Sequence, residues 1–102
     1  MTEGLKHDVG KLRLDLLPPE LEEAVAEVLG DGCVKYGERN WELGLKWSRV
    51  YAATRRHLLA WWKLEPADPE SGRSHLAHAA CCIAFLLAYE GRGAGTDDRP
   101  GR

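Results

Sequence analysis

The sequence predicts an all-α protein: a compact bundle of three main helices behind an irregular N-terminal arm. Two observations carry that expectation. Gly- and Pro-punctuated turns around 37–44 and 65–72 divide the chain between Pro19 and Tyr89 into segments of helical length, with apolar residues recurring every three to four positions. No stretch shows the apolar–polar alternation of a half-buried strand. At 102 residues the chain is near the size where one core is marginal, so homo-oligomerisation is expected to complete the burial.

Residues 1–17 carry no helical period and form the arm, which holds Lys6, Asp8, Lys11, Arg13 and Asp15. Pro19 suits the first turn of a helix, Glu20, Glu22 and Glu23 favour the positive end of its dipole, and Leu21, Ala24, Val25 and Val28 share a face. The first helix is expected from Pro19 to Val34, interrupted at most by Gly30 and Gly32. The loop Tyr36-Gly37-Glu38-Arg39-Asn40-Trp41-Glu42-Leu43-Gly44 follows, and Ser48 offers an N-cap for a second helix ending near Leu64. On that helix Val50, Ala53, His57, Trp61 and Leu64 fall on one face, while Arg49, Arg56 and Lys63 line a polar edge. The third helix is expected from Ser71 or Ser74 to Tyr89. It is apolar nearly all round, which places it centrally or at a subunit interface. Residues 1–90 form one domain, and the Gly-rich polar segment 91–102 is expected to be disordered.

Charge is distributed unevenly. From Asp15 to Asp31 there are six acids and no base, whereas Lys35 to Lys63 holds seven of the fourteen Lys and Arg residues, two acids and all four tryptophans. The two stretches are candidates to pack as oppositely charged neighbours. A net charge of -2 argues against general binding to duplex nucleic acid, so an anionic partner must be met locally. No apolar run approaches the roughly 18 residues of a membrane span. The first eight residues lack the apolar core of a signal peptide. A cytoplasmic protein without a membrane partner is expected, with Cys33, Cys81 and Cys82 reduced.

Candidate chemistry concentrates in two places. Lys35, Tyr36, Arg39, Asn40 and Trp41 fall within seven residues and combine donors for phosphate, an amide for a base edge and rings for stacking; Arg56, on the next helix, adds a cation. His75 and His78 open the most apolar helix, three residues apart. Two readings stay open for them: a buried pair satisfied by an acid such as Asp68 or Glu70, or a pocket-facing pair that donates to a phosphate or a reacting oxygen. Cys82 lies on the same face, but a single-helix metal site of that spacing is a weak signal. His57, beside Trp61, reads as a satisfied core histidine in preference to the alternative of a ligand-contacting one. Glu20, Glu23 and Glu27 share a face that would hold Mg²⁺ only if a second carboxylate set existed, and Asp68 and Glu70 are its remote candidates.

Three segments resemble a known family: Lys11-Leu12-Arg13-Leu14-Asp15-Leu16-Leu17-Pro18-Pro19-Glu20, the Lys35-to-Gly44 loop, and Arg56-His57-Leu58-Leu59-Ala60-Trp61-Trp62 with Asp68-Pro69-Glu70-Ser71-Gly72 and His75-Leu76-Ala77-His78-Ala79. The chain is similar, over roughly Lys6 to Tyr89, to the phage-associated N-terminal domain of dATP/dGTP diphosphohydrolases. The resemblance implies a nucleotide ligand, a purine deoxynucleoside triphosphate converted to monophosphate and pyrophosphate, and residence in the host cytoplasm. As an enzyme the chain would use Mg²⁺ or Mn²⁺ held by some of Glu20, Glu23, Glu27, Asp68 and Glu70. Lys11, Arg13, Lys35, Arg39 and Arg56 would bind the phosphates, with His75 and His78 in the chemistry. The alternative is a protein that binds or sequesters a nucleotide without catalysis.

Overall fold

The computed structural model describes residues 3–102, and its architecture is all-α as expected. A short 3₁₀ turn at Leu14–Leu16 leads into α1 (Pro19–Tyr36); a second 3₁₀ turn, Asn40–Leu43, precedes α2 (Trp47–Trp62), and α3 (His75–Arg92) follows a twelve-residue connection at 63–74. Gly30 and Gly32 do not interrupt α1. Gly37 ends it with φ 94°, its amide returning to the Cys33 carbonyl, a backbone conformation that favours glycine.

α3 is the central element. Both α1 and α2 pack against it, and neither packs against the other. The start of α2 lies beside the chain that leaves α3, while His57 meets His75, the first residue of α3; the two helices are therefore antiparallel. Val50 and Thr54 from α2 and His75, Ala77, Ala79, Cys81 and Tyr89 from α3 are buried. The small side chains at 77, 79 and 81 let neighbouring backbones approach α3 closely.

The buried face of α2 is shorter than its sequence pattern suggests. Trp61 is 45% exposed and Leu64 87%, because α3 begins opposite His57 and supplies no turn against the end of α2. Trp47, in contrast, is half-buried and donates its indole N–H to the Ala94 carbonyl at 3.0 Å.

The segment after α3, expected to be disordered, folds back on the start of α2. The Thr96 carbonyl accepts from the Trp47 amide at 2.9 Å, and the Thr96 amide donates to the Leu45 carbonyl at 3.1 Å. Ser48 is not itself the cap. The Asp98 carboxylate accepts from the Ser48 amide at 2.9 Å and from its hydroxyl at 2.5 Å, so the last segment supplies the acidic cap that α2 lacks locally. Composition hid this, because backbone pairing and one aspartate need no apolar residues.

The acidic stretch also finds a different partner from the one expected. Arg73, just before α3, reaches Asp31 with Nε at 2.7 Å and Glu27 with Nη1 at 2.7 Å, clamping α1 to the start of α3. The N-terminal arm stands away from the bundle, with Leu5, Val9 and Leu12 at least 85% exposed. The radius of gyration of 17.0 Å accordingly exceeds the roughly 13 Å of a compact 100-residue domain.

Candidate functional site

Because α1 and α2 each lean on α3 without meeting, a cleft of about 1010 Å³ opens between them. Its α1 wall runs from Val28 to Tyr36, continues through Gly37 to Trp41, and is completed by Arg49 and His57 from α2 and His78, Cys81, Cys82 and Phe85 from α3, with Glu70 and Ser71 from the connection. The loop with the strongest sequence signal therefore does face the cleft, through Lys35, Tyr36, Arg39 and Asn40. Arg39 adopts the left-handed conformation at φ 58°, uncommon for a residue other than glycine and a mark of local constraint in this loop.

Trp41 has a different role from the one expected of it. Its ring stacks on Phe85 with centroids 4.7 Å apart and an interplanar angle of 14°. Its backbone carbonyl accepts the hydroxyl of the buried Tyr89 at 2.6 Å. Burial pushes that phenol above its ordinary pKa, against a smaller opposing effect of the Leu45 amide. Trp41 thus anchors the loop to α3, and its ring is engaged within the protein.

The cations of the loop have acidic partners of their own. Lys35 pairs with Glu70, which raises the Lys35 pKa, and Arg39 lies 2.9 Å from Glu42. Arg49 makes no ion pair among the described residues. Lys11 and Arg13 lie elsewhere: with Lys6, Asp8, Leu12 and Asp15 they line a separate hollow in the arm, and Arg13 is tied to Asp15 at 2.8 Å. Arg56 is exposed on α2 and does not line the cleft.

Three histidines meet at the cleft floor. The rings of His57 and His78 stack with centroids 4.6 Å apart and an interplanar angle of 10°. His57 Nδ1 lies 2.9 Å from His75 Nδ1, and His75 Nε2 lies 2.7 Å from Glu65 Oε2. His78 Nε2 lies 2.6 Å from Ser71 Oγ and 3.8 Å from Asp68 Oδ2. Desolvation lowers the His57 pKa, with the neighbouring imidazoles and Arg56 acting in the same direction and Asp68 against them. Burial alone would raise the Asp68 carboxyl, but hydrogen bonds from Ser71 and the neighbouring imidazoles of His78 and His57 hold it below its ordinary value.

Ser71, His78 and Asp68 do not form a nucleophilic triad. A triad needs the acid on the imidazole nitrogen opposite the serine. Here both groups address Nε2, and the Ser71 amide donates to Asp68 Oδ2 at 2.9 Å in a local turn. The two thiols of α3 are also unactivated: burial pushes Cys81 up to about 12 and raises Cys82.

The expected metal set divides. Glu20 and Glu23 are exposed on the first turns of α1 and line neither the cleft nor its floor, whereas Glu70 lines the cleft. Asp68 joins His57 and His75 in a group whose ligand atoms all lie within 4.8 Å of one another. Of the histidines weighed for chemistry, His75 is 4% exposed and bonded on both ring nitrogens, while His78 lines the cleft. Sequence reasoning passed over Arg49, Ser71, Glu65 and the role of His57. His57, five residues before the end of α2 and on the face toward α3, gave a periodic signal, and Arg49 gave one on the polar edge of the same helix.

Among the described residues no helix is long and apolar enough to cross a membrane. The family described as dATP/dGTP diphosphohydrolase, N-terminal, matches residues 1–99. A protein of Salmonella phage PMBT28 named dATP/dGTP diphosphohydrolase is 42% identical over 96 residues, a match covering 94% of this chain and 33% of the relative. The chain thus spans about a third of the length of that relative. No solved structure gives a significant match. With nearly its whole length matched, the chain belongs to the family of dATP/dGTP diphosphohydrolase N-terminal domains.

Proposed function

We propose that the cleft binds the phosphates of a purine deoxynucleoside triphosphate and that this domain serves hydrolysis to the monophosphate and pyrophosphate. The observation that carries the reading is the position of Arg49, Lys35 and Arg39 around a cleft floored by His57, Ser71 and His78. The acidic partner of Lys35 is no obstacle. Glu70 is 73% exposed in its side chain, and exposed ion pairs of this kind contribute about 0–1 kcal/mol, so a polyanion displaces the carboxylate at little cost.

In the hydrolytic reaction a water oxygen bonds to the α-phosphorus while the bond to the α–β bridging oxygen breaks, and pyrophosphate leaves with that electron pair. His78 is the imidazole of the expected pair that borders the cleft and the group suited to accept the proton of the attacking water. His75 acts as a positioning residue, fixing His57 beneath it. Mg²⁺ or Mn²⁺ neutralises triphosphate charge in such reactions, and Glu70 is the carboxylate of the expected set that lines the cleft. A second reading, nucleotide capture without chemistry, is favoured by one observation: Glu20 and Glu23 stand outside the cleft, and of the carboxylates that line it Asp31 is engaged by Arg73 and Glu70 by Lys35.

Calorimetric titration with dATP and dGTP, alongside a pyrophosphate-release assay with Mg²⁺ or Mn²⁺, tests both readings. Binding is expected, weakened roughly tenfold in Arg49→Ala through loss of a charge-assisted contact. Turnover that disappears in His78→Ala supports hydrolysis, and binding without turnover supports capture. The absence of binding at millimolar nucleotide refutes the nucleotide reading.

A further inference from the structure

We propose that His57, Asp68 and His75 form a site for a single nitrogen-preferring divalent transition-metal ion, of the zinc or cobalt class, beneath the cleft floor. The ligands come from three successive parts of the chain: His57 from α2, Asp68 from the connection and His75 from the first turn of α3. Their convergence is therefore a property of the fold and not of a local sequence motif.

Geometry supports a common ion in two ways. The two Nδ1 atoms lie 2.9 Å apart. Imidazole nitrogens about 2.1 Å from one tetrahedral ion lie about 3.4 Å apart, so the two rings part by about 0.5 Å to admit an ion in the space they share with Asp68. The second support lies behind the ligand. His75 Nε2 is 2.7 Å from Glu65 Oε2, and a ligating histidine characteristically gives its remaining ring N–H to a carboxylate, which leaves the other nitrogen bare and fixes the ring. The burial of His75, 4% exposed, makes that orientation firm.

The donor set selects the metal. Two imidazoles and one carboxylate suit ions such as Zn²⁺ and Co²⁺, whereas Mg²⁺ prefers oxygen ligands and retains water. This site is distinct from any Mg²⁺ or Mn²⁺ that accompanies a triphosphate, and it does not depend on the nucleotide reading. Three protein ligands leave coordination positions open, and His57 is the one that also lines the cleft. Without the ion, the same nitrogens form one hydrogen bond between two imidazoles, which is the competing account.

The test uses Zn²⁺ and Co²⁺ alone, without nucleotide, on the full chain. Calorimetry against a competing chelator is expected to give one Zn²⁺ per chain, and Co²⁺ is expected to produce visible d–d absorption. His57→Gln and Asp68→Asn should each weaken Zn²⁺ at least 100-fold, and Glu65→Gln by about 10–100-fold, with helical circular dichroism retained. Should a variant fail to fold, ring resonances of the unaltered chain decide: Zn²⁺ must shift two histidine spin systems, His57 and His75, and leave His7 in place. The proposal is overturned if the unaltered chain takes up neither ion, if folded His57→Gln or Asp68→Asn binds as the unaltered chain does, or if Zn²⁺ shifts His7 instead. A nucleotide that fails to bind leaves these results untouched, so the two readings fail separately.

Discussion

The loop that borders the cleft depends on one buried hydroxyl, and removing it measures how firmly the site is built. Tyr89 is 1% exposed and donates to the Trp41 carbonyl at 2.6 Å. Tyr89→Phe keeps the ring and its packing and deletes that hydrogen bond, while the carbonyl keeps the Gly44 amide at 3.1 Å. A neutral hydrogen bond contributes about 0.5–1.5 kcal/mol net, and that range is the expected destabilisation because no polar group is left unpaired. For a chain of this size that lowers the thermal midpoint by about 2–12 °C. Urea unfolding followed by helical circular dichroism is the assay, and an unchanged m-value would show that the folded state keeps its extent. A loss below about 0.5 kcal/mol, the range of ordinary surface substitutions, would refute the view that Tyr89 holds the 40–43 turn to α3. The same result governs Trp41→Ala. With its ring stacked on Phe85, a binding defect in that variant reports loop collapse before it reports a lost base contact.

Arg73→Gln should lower the neutral-pH stability by releasing α1 from the start of α3. The sign with pH follows from Asp31, whose pKa is lowered chiefly by its hydrogen bonds with Arg73: the contribution is present above the unfolded carboxylate value near 4 and disappears as pH falls through the folded value. The midpoint difference between variant and unaltered chain should therefore narrow in acid, and a constant difference from pH 7 to pH 3 would contradict it. Gly95→Ala should detach the last segment, because Gly95 has φ 73° and a methyl group there would run into the Leu45 carbonyl oxygen. Faster amide exchange at Trp47 and Ser48 is the readout, and unchanged protection would show that the segment does not cap α2. Exposed Leu59, Trp62 and Leu87 lead us to expect self-association. Sedimentation equilibrium should give a multiple of 11.4 kDa that falls toward the monomer in Trp62→Glu, and a monomeric unaltered chain would refute this.

The helices were legible because their signals are local. Pro19, Gly37 and the apolar run after Ser74 mark boundaries by backbone chemistry that holds whatever packs nearby. The ring environments were not legible, since they depend on where helices end relative to one another. Trp61 occupies the helical face that points to α3, yet α3 starts too late to cover it; Trp41 sits in a loop that resembles a ligand clamp, yet Phe85 and Tyr89 claim it. Pairing across long separations was equally hidden. Arg73 with Asp31, and Asp98 with Ser48, are contacts between residues whose charges say nothing of their partners until the chain is folded.

The candidate site follows from the same distinction. A helical period shows that His57 faces inward, and spacing shows that His75 and His78 share the start of a helix. Neither shows that the antiparallel crossing of α2 and α3 brings His57 against both of them. That crossing matters chemically because an imidazole inside a protein needs a partner for each nitrogen. His75 meets the requirement with Glu65 on one side and His57 on the other, so its ring cannot turn to serve a ligand in the cleft. His78 has the hydroxyl of Ser71 on Nε2 at the cleft margin, a partner that can exchange for water or a phosphate oxygen. Two histidines that look equivalent in sequence are thereby divided by the fold into one held on both ring nitrogens beneath the floor and one that borders the cleft.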